Sequence, residues 1–287
     1  MKNTLQQAAS QALHEEIQLI NIHPVNGGSI NSAAKLITSN GIYFIKWNDA
    51  SEHLLFEAEA FGLKLLKKNI PELIPELIGW GVIDYTVFLM LEWIEPISQL
   101  SNYWKDFAEK LSKLHRSSNS FFGLDHNNFI GSLPQFNNAT NSWVDFFITN
   151  RLQTQTELAF NNNLLNNNHL KLIYNLYSKL YNLLPEEPPA LVHGDLWNGN
   201  VLCGSNGLAR IFDPSVYYGN REVDLAMTTL FGGFDPEFYS AYNEYYPLQP
   251  DYTERFPIYN LYPLLVHLNL FGNSYLSPIE EILKRYA

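Results

Sequence analysis

The stretch Leu191-Val192-His193-Gly194-Asp195-Leu196-Trp197-Asn198-Gly199-Asn200 is followed, after a short gap, by Ile211-Phe212-Asp213-Pro214. Two carboxylates and an amide at these positions match the needs of phosphoryl transfer from a nucleotide. That reaction takes a carboxylate to orient and deprotonate an attacking hydroxyl, and oxygen ligands for a Mg²⁺ ion on the phosphates. Asp195 precedes Asn200 by five positions, so a tight loop can present a base and a neutral metal ligand on one side. Asp213 lies thirteen residues beyond Asn200, at the end of the next apolar run, where a hairpin would fold its carboxylate back beside the Asn200 amide. Singly, each is an ordinary turn or loop residue. In this order they supply the roles of one reaction.

These residues need a frame, and hydrophobic period supplies one. Behind a polar, helix-like start, Ile17 to Val25, Ser32 to Thr38 and Ile42 to Trp47 read as strands. Asn26-Gly27-Gly28-Ser29 forms the first turn and Asn40-Gly41 the second, the latter a type I′ turn with positive φ at both positions. Ser51 caps a helix running to about Lys68, on which Leu54, Leu55, Ala58, Phe61, Leu65 and Leu66 recur at helical spacing. Leu77 to Ile83 and Thr86 to Ile94 complete about five strands around an Asp84-Tyr85 turn. From Pro96 the period becomes helical, in a stripe from Trp104 to Leu114, then Trp143 to Ala159 and Leu170 to Leu184. The Asn161–Asn163 and Asn166–Asn168 runs suit a solvated connection between those two helices. Ala190 to Phe212 interrupts the trend with two short apolar runs around Gly204-Ser205-Asn206-Gly207. The expected fold class is α+β: a small five-stranded antiparallel lobe with one long helix (1–93), and a larger, mainly helical lobe (94–287).

Composition sets the outer limits. The 287 residues include 46% hydrophobic and 16% charged side chains, enough apolar surface for a sizeable core. The formal net charge of −11 argues against nucleic acid or an anionic membrane as main partner. Cys203 is the only cysteine, which excludes an intrachain disulfide and makes a reducing compartment the default. The first twenty residues lack the apolar centre of a signal peptide, and no later stretch is a membrane span. A cytoplasmic chain is expected; the oligomeric state is not set by composition, and a monomer is the expected one.

The pattern resembles the protein-kinase-like phosphotransferases of small molecules, a group that includes aminoglycoside and choline kinases. His193-Gly194-Asp195-Leu196-Trp197-x-Gly199-Asn200, the block from Tyr217 to Met227, and Leu270-Phe271-Gly272 narrow the likeness to the fructosamine kinase, or ketosamine-3-kinase, family over nearly the whole chain. The resemblance implies ATP and Mg²⁺ as cofactors, with Asp195 as catalytic base and Asn200 and Asp213 as metal ligands. It assigns Lys46 to the α- and β-phosphates and Glu59 to pairing with it. Gly27, Gly28 and Ser29 belong to the phosphate-covering loop, and the backbone from Glu92 to Ile94 to the link that meets the nucleotide base. The acceptor implied is a ketosamine, a small molecule or a glycated protein amine, phosphorylated at the sugar 3-hydroxyl; the product eliminates and releases the amine. Two departures stand out: Ser29 where several relatives carry a redox-active cysteine, and Val266 where relatives often carry asparagine.

Other residues have plainer readings. Trp197, between base and metal ligand, offers an aromatic face to the C–H surface of a sugar. His193 reads as a loop-ordering group and Asp224 as a carboxylate that ties the catalytic loop. His115 reads as a helix C-terminal group interacting with the dipole. Tyr259, Tyr262, His267 and Phe271 form a stripe that is mainly helix core, with one or two members available to line the acceptor pocket. A kinase of another small alcohol, such as an aminoglycoside or choline, and a pseudokinase binding module remain as alternatives.

Overall fold

The computed structural model describes residues 1–25 and 31–287. The glycine-turn residues Gly27, Gly28 and Ser29 lie outside the described residues. In chain order the elements are α1 (Lys2–Leu13), β1 (Leu19–Pro24), β2 (Ser32–Thr38), β3 (Gly41–Asp49), α2 (His53–Asn69), β4 (Leu77–Ile83), β5 (Thr86–Glu92) and α3 (Tyr103–His115). Next come β6 (Asn128–Ile130), β7 (Leu133–Gln135), α4 (Trp143–Phe146), a π-helical segment (Phe147–Gln153), α5 (Thr154–Asn161) and α6 (Asn167–Leu183). The chain ends with β8 (Ala190–Val192), β9 (Val201–Cys203), β10 (Ala209–Ile211), β11 (Tyr217–Gly219), α7 (Glu222–Met227), α8 (Pro236–Tyr245), α9 (Tyr252–Phe271) and α10 (Leu276–Tyr286). Two compact units result, Met1–Phe107 with Gly199–Pro214, and Ala108–Asn198 with Ser215–Ala287.

The first unit is built on an antiparallel sheet of five strands in the order β1-β2-β3-β5-β4. Its side chains alternate between two faces, as the two-residue period of a strand requires. Ala34, Leu36, Ile45, Phe88 and Met90 join Leu5, Ala8, Ala9 and Ala12 of α1 in one apolar cluster. Lys46, next to Ile45 in β3, therefore lies on the opposite face, where Glu59 of α2 meets it. The β9–β10 hairpin belongs to this unit: Ile211 N–H donates to Leu73 O (2.8 Å) and Leu100 N–H to Gly207 O (3.0 Å).

Local chemistry departs from expectation at three places. Asn40 does not take positive φ, so the β2–β3 turn is not type I′. Instead its N–H donates to Thr38 Oγ1 (3.2 Å), whose hydroxyl donates to Gly41 O (3.0 Å), a side-chain turn that competes with the expected one. Asp49, not Ser51, is the capping side chain: it caps the 3₁₀ turn Ala50–Glu52 that leads into α2, accepting from Ser51 N–H at 2.9 Å. The Asn166–Asn168 run is more than a connection: Asn166 caps α6 in a reciprocal box with His169, and Asn167 and Asn168 form its first turn.

In the second unit the expected Trp143 to Ala159 helix is α4, the π-helical segment and α5 in succession. Arg151 of the π-helical segment is fully buried and stacks over Tyr217 at 4.0 Å and Phe146 at 4.6 Å. It donates to Phe136 O (2.5 Å) and Asn137 Oδ1 (2.8 Å), so aromatic faces and amide oxygens hold its charge. Helix α9 supplies much of the core through Phe256, Ile258, Leu261, Leu265 and Leu268. Among the described residues, no helix is long and apolar enough to cross a membrane.

Candidate active site

The cation of the first unit comes from Lys46. Its Nζ contacts Glu59 Oε2 and lies 2.7 Å from Asp213 Oδ1. Lys46 and Glu59 are buried, whereas the Asp213 side chain is 46% exposed and can still meet a ligand. Burial lowers the lysine pKa, but the charges of Asp213 and Glu59 and their hydrogen bonds raise it more, and the ammonium stays charged. Burial pushes the Glu59 carboxyl up, against the pull of Lys46. Asp213 takes a left-handed backbone at φ 54°, uncommon for a residue with a side chain. The β9–β10 ladder pairs Val201 with Ile211, and Phe212 N–H donates to Asn200 O at 3.2 Å, so the hairpin brings the backbones at Asn200 and Asp213 together.

Among the described residues, no three His, Cys, Asp or Glu side chains gather into a metal cage. Mg²⁺ carried on phosphates needs only one or two protein ligands, of the hard oxygen type that Asp213 and Asn200 provide. Glu92 ends β5, with its N–H given to Glu76 O (2.9 Å), and Trp93 and Ile94 follow as irregular chain. Lys35 Nζ lies 4.4 Å over Trp93 and 3.0 Å from Glu95.

The second unit holds Asp195 and Trp197. Strand β8 pairs with β11 and delivers His193 and Gly194 to a buried turn. Gly194 has φ 82°, and a Cβ there would stand 2.1 Å from Ser215 O, so only glycine fits. Asp224 clamps the turn, taking His193 N–H on Oδ2 (2.7 Å) and Gly194 N–H on Oδ1 (2.9 Å). Asp195 N–H in turn donates to His193 Nδ1 at 3.3 Å. The Asp195 side chain is half-buried.

His115 ends α3 as the sequence reading has it, but its ring serves the clamp on the turn. Its ring is fully buried, donating from Nε2 to Asp224 Oδ2 (3.1 Å) and bonding the Tyr242 hydroxyl through Nδ1 (2.8 Å). The long separation in sequence hid this link. Burial alone would raise the Asp224 pKa, yet the bonds and charges of His115, His193 and the Gly194 N–H hold it below the ordinary value.

Trp197 is half-buried, its ring edge-on to Phe231 with centroids 5.4 Å apart. Phe231 lies 4.8 Å from His267 and 6.5 Å from Tyr275, and His267 lies 5.0 Å from Tyr275 and 5.5 Å from Phe271. Of the expected stripe, Tyr259 and Tyr262 are core, but Phe271 is exposed and His267 half-buried. Phe231 escaped sequence reasoning, although a bulky residue before Gly232-Gly233 was a signal. Asn198 Nδ2–H donates to Gly233 O (2.7 Å), fastening that glycine pair to the segment after Trp197.

The chain is similar to proteins already known. A probable ketoamine kinase of Lactiplantibacillus plantarum is 37% identical over 92% of this chain and 94% of its own. The crystal structure of a candidate fructosamine-3-kinase from Haemophilus somnus 129PT superposes with a TM-score of 0.90 at 29% identity, covering 100% of this chain and 97% of that one. More distantly, a thermostable mutant of aminoglycoside phosphotransferase APH(4)-Ia, solved with AMP-PNP and hygromycin B, has a TM-score of 0.66 at 14% identity. It covers 99% of each chain and shares the protein-kinase-like fold. The family model described as fructosamine kinase matches residues 1–287, and with these relatives it places the chain in the fructosamine kinase family.

Proposed function

We propose that this chain transfers the γ-phosphoryl group of ATP to the 3-hydroxyl of a ketosamine, a sugar joined to an amine. The observation that carries the reading is the Lys46 ammonium held between Glu59 and Asp213, a charge arrangement suited to nucleotide phosphates. Family membership and the names of the relatives support the acceptor. The AMP-PNP complex of the distant phosphotransferase supports ATP.

In this reading residues 1–93 serve the nucleotide and 94–287 the acceptor and chemistry. Lys46 holds the α- and β-phosphates, oriented by Glu59. The loop with Gly27, Gly28 and Ser29 covers the phosphates, and the backbone from Glu92 to Ile94 meets the base. Asp213 and Asn200 would hold Mg²⁺, which when bound neutralises charge on the phosphates. Asp195 accepts the proton of the attacking hydroxyl, on a turn fixed by Asp224. Trp197 packs on the sugar. The phosphorylated sugar then loses inorganic phosphate by elimination, and water hydrolyses the carbon–nitrogen bond of the product to free the amine, a repair of glycated small amines or proteins in the cytoplasm by a monomer.

The test is a phosphoryl-transfer assay with ATP and Mg²⁺ over a panel of ketosamines, free sugars, aminoglycosides and choline. Transfer confined to ketosamines, with phosphate at the 3-position by NMR, is the expected result. Transfer only to another alcohol, or to none, overturns the reading.

A further inference from the structure

Ser215 and Val216 are both buried, yet the ladder of β11 with β8 starts only at Tyr217. Their carbonyl oxygens must find donors outside the strand pairing, because a buried backbone acceptor left alone is costly. Two side-chain amides of the β6–β7 hairpin supply them. Gln135 Nε2 donates to Ser215 O at 3.0 Å, and Asn128 Nδ2 donates to Val216 O at 2.8 Å.

The direction of these amides is imposed from both ends by donors. The Arg151 guanidinium, which cannot accept, gives an N–H to Asn137 Oδ1 at 2.8 Å. That turns Asn137 Nδ2 toward Asn128 Oδ1 (3.0 Å), and so Asn128 Nδ2 toward Val216 O. On the other side the Tyr262 hydroxyl, whose pKa burial raises, keeps its proton and donates to Gln135 Oε1 at 2.8 Å. Both hydrogens of Gln135 Nε2 are then left for Asn128 Oδ1 (2.8 Å) and Ser215 O. Neither amide can flip without losing these bonds.

Ser215 O is also the atom that closes on Gly194 and leaves no room there for a side chain, while Ser215 N–H donates to His193 O at 2.9 Å. One residue is thus gripped by the hairpin through its carbonyl and by the catalytic turn through its N–H. Asp224 holds the N–H groups of that turn, and Ser215 meets its other side. A shift of Ser215 passes to Gly194 and to Asp195 next to it, and a misplacement of about 1 Å costs on the order of 10²-fold in rate. We propose that Gln135 and Tyr262 are positioning residues for phosphoryl transfer, aiming the Asp195 carboxylate through Ser215. This rests on the reading of Asp195 as base and extends it to the hairpin and α9.

The experiment follows transfer from radiolabelled ATP to a ketosamine at high enzyme concentration, with melting temperatures recorded beside it. Gln135→Met keeps the volume and removes the amide; Tyr262→Phe removes only the hydroxyl that orients it. Each is made alone and together with Asp195→Asn. Gln135→Met should lower kcat about 30- to 100-fold and Tyr262→Phe about five- to tenfold, with KM for ATP and acceptor within about threefold of wild type. In the Asp195→Asn background either change should cost less than about twofold further in kcat, while lowering the melting temperature as much as it does alone. Unchanged kcat, a loss that falls on KM, or losses that multiply with Asp195→Asn overturn the positioning role and leave the kinase reading standing. If Gln135→Met does not fold, Tyr262→Phe decides by the same criteria. Wild-type turnover by Asp195→Asn alone, or no transfer by wild type, defeats the underlying reading and the positioning role with it.

Discussion

Asp195 and Asp213 bear carboxylates in different surroundings, so their removal should fail differently. Asp195→Asn keeps the turn but cannot accept a proton, and turnover should fall ~10²–10⁴-fold while Mg-nucleotide binding stays near wild type. Retained turnover within a few-fold would remove Asp195 from the chemistry. Asp213→Ala takes away a proposed metal ligand and one of the two carboxylates on Lys46. The Mg²⁺ requirement should rise steeply and nucleotide affinity drop, with Asn200→Ala following more mildly because no charge is lost. Unchanged Mg-nucleotide binding by calorimetry in the Asp213 variant would refute the assignment. At this scale much was legible in the sequence. Asp195, Asn200 and Asp213 form a local pattern, and Lys46 and Glu59 came through the family likeness. His115 was not legible, since its meaning depends on Asp224 and Tyr242, far along the chain.

At the scale of elements, the β8-to-Asp195 turn depends on the close approach of two backbones. Gly194→Ala would set a methyl group against Ser215 O in a left-handed conformation. A cost of about 3 kcal/mol or more is expected from overpacking and strain together, and turnover should collapse along with the melting temperature. A variant as stable and active as wild type would show that the turn has another conformation available. The strands and most helices followed from apolar spacing, as in β2 and β4, because period and burial coincide there. Caps and turns did not follow so directly. Thr38 against Asn40, and Asp49 against Ser51, are contests between side chains of similar capping ability, decided by which one the neighbouring strand leaves in place. The π-helical segment had no signature in the pattern either. Its reason is tertiary, in the stacking of Arg151 on Tyr217 and Phe146.

For the whole molecule, the Asp224 clamp links stability to acid. Its pKa is lower in the folded chain than when unfolded. The stabilisation it gives is therefore fully present above the unfolded value of ~3.9 and is lost as pH falls through the folded one. The melting-temperature gap between wild type and Asp224→Asn should be constant near neutral pH and shrink below about pH 4. A gap independent of pH down to that range would show that Asp224 does not titrate as described. Redox behaviour is also a property of the whole chain. Cys203 is its only cysteine, half-buried, with its thiol pKa pushed up by burial. Mild oxidant should leave mass on a non-reducing gel and activity unchanged. A band of doubled mass that dithiothreitol reverses would point to Cys203.

The first unit is discontinuous, and this has a consequence for the chain during its synthesis. Lys46 and Glu59 leave the ribosome early, but Asp213 and the β9–β10 hairpin, which bonds to Leu73 and Leu100, come much later. At ~5–20 residues per second the interval is on the order of ten seconds. Throughout it the nascent sheet lacks one of the two counter-charges of its buried lysine, and Leu73 O and Leu100 N–H lack their hairpin partners. The N-terminal part is therefore not a module that matures first and waits. It reaches its final packing only once the polypeptide has been extended past Pro214.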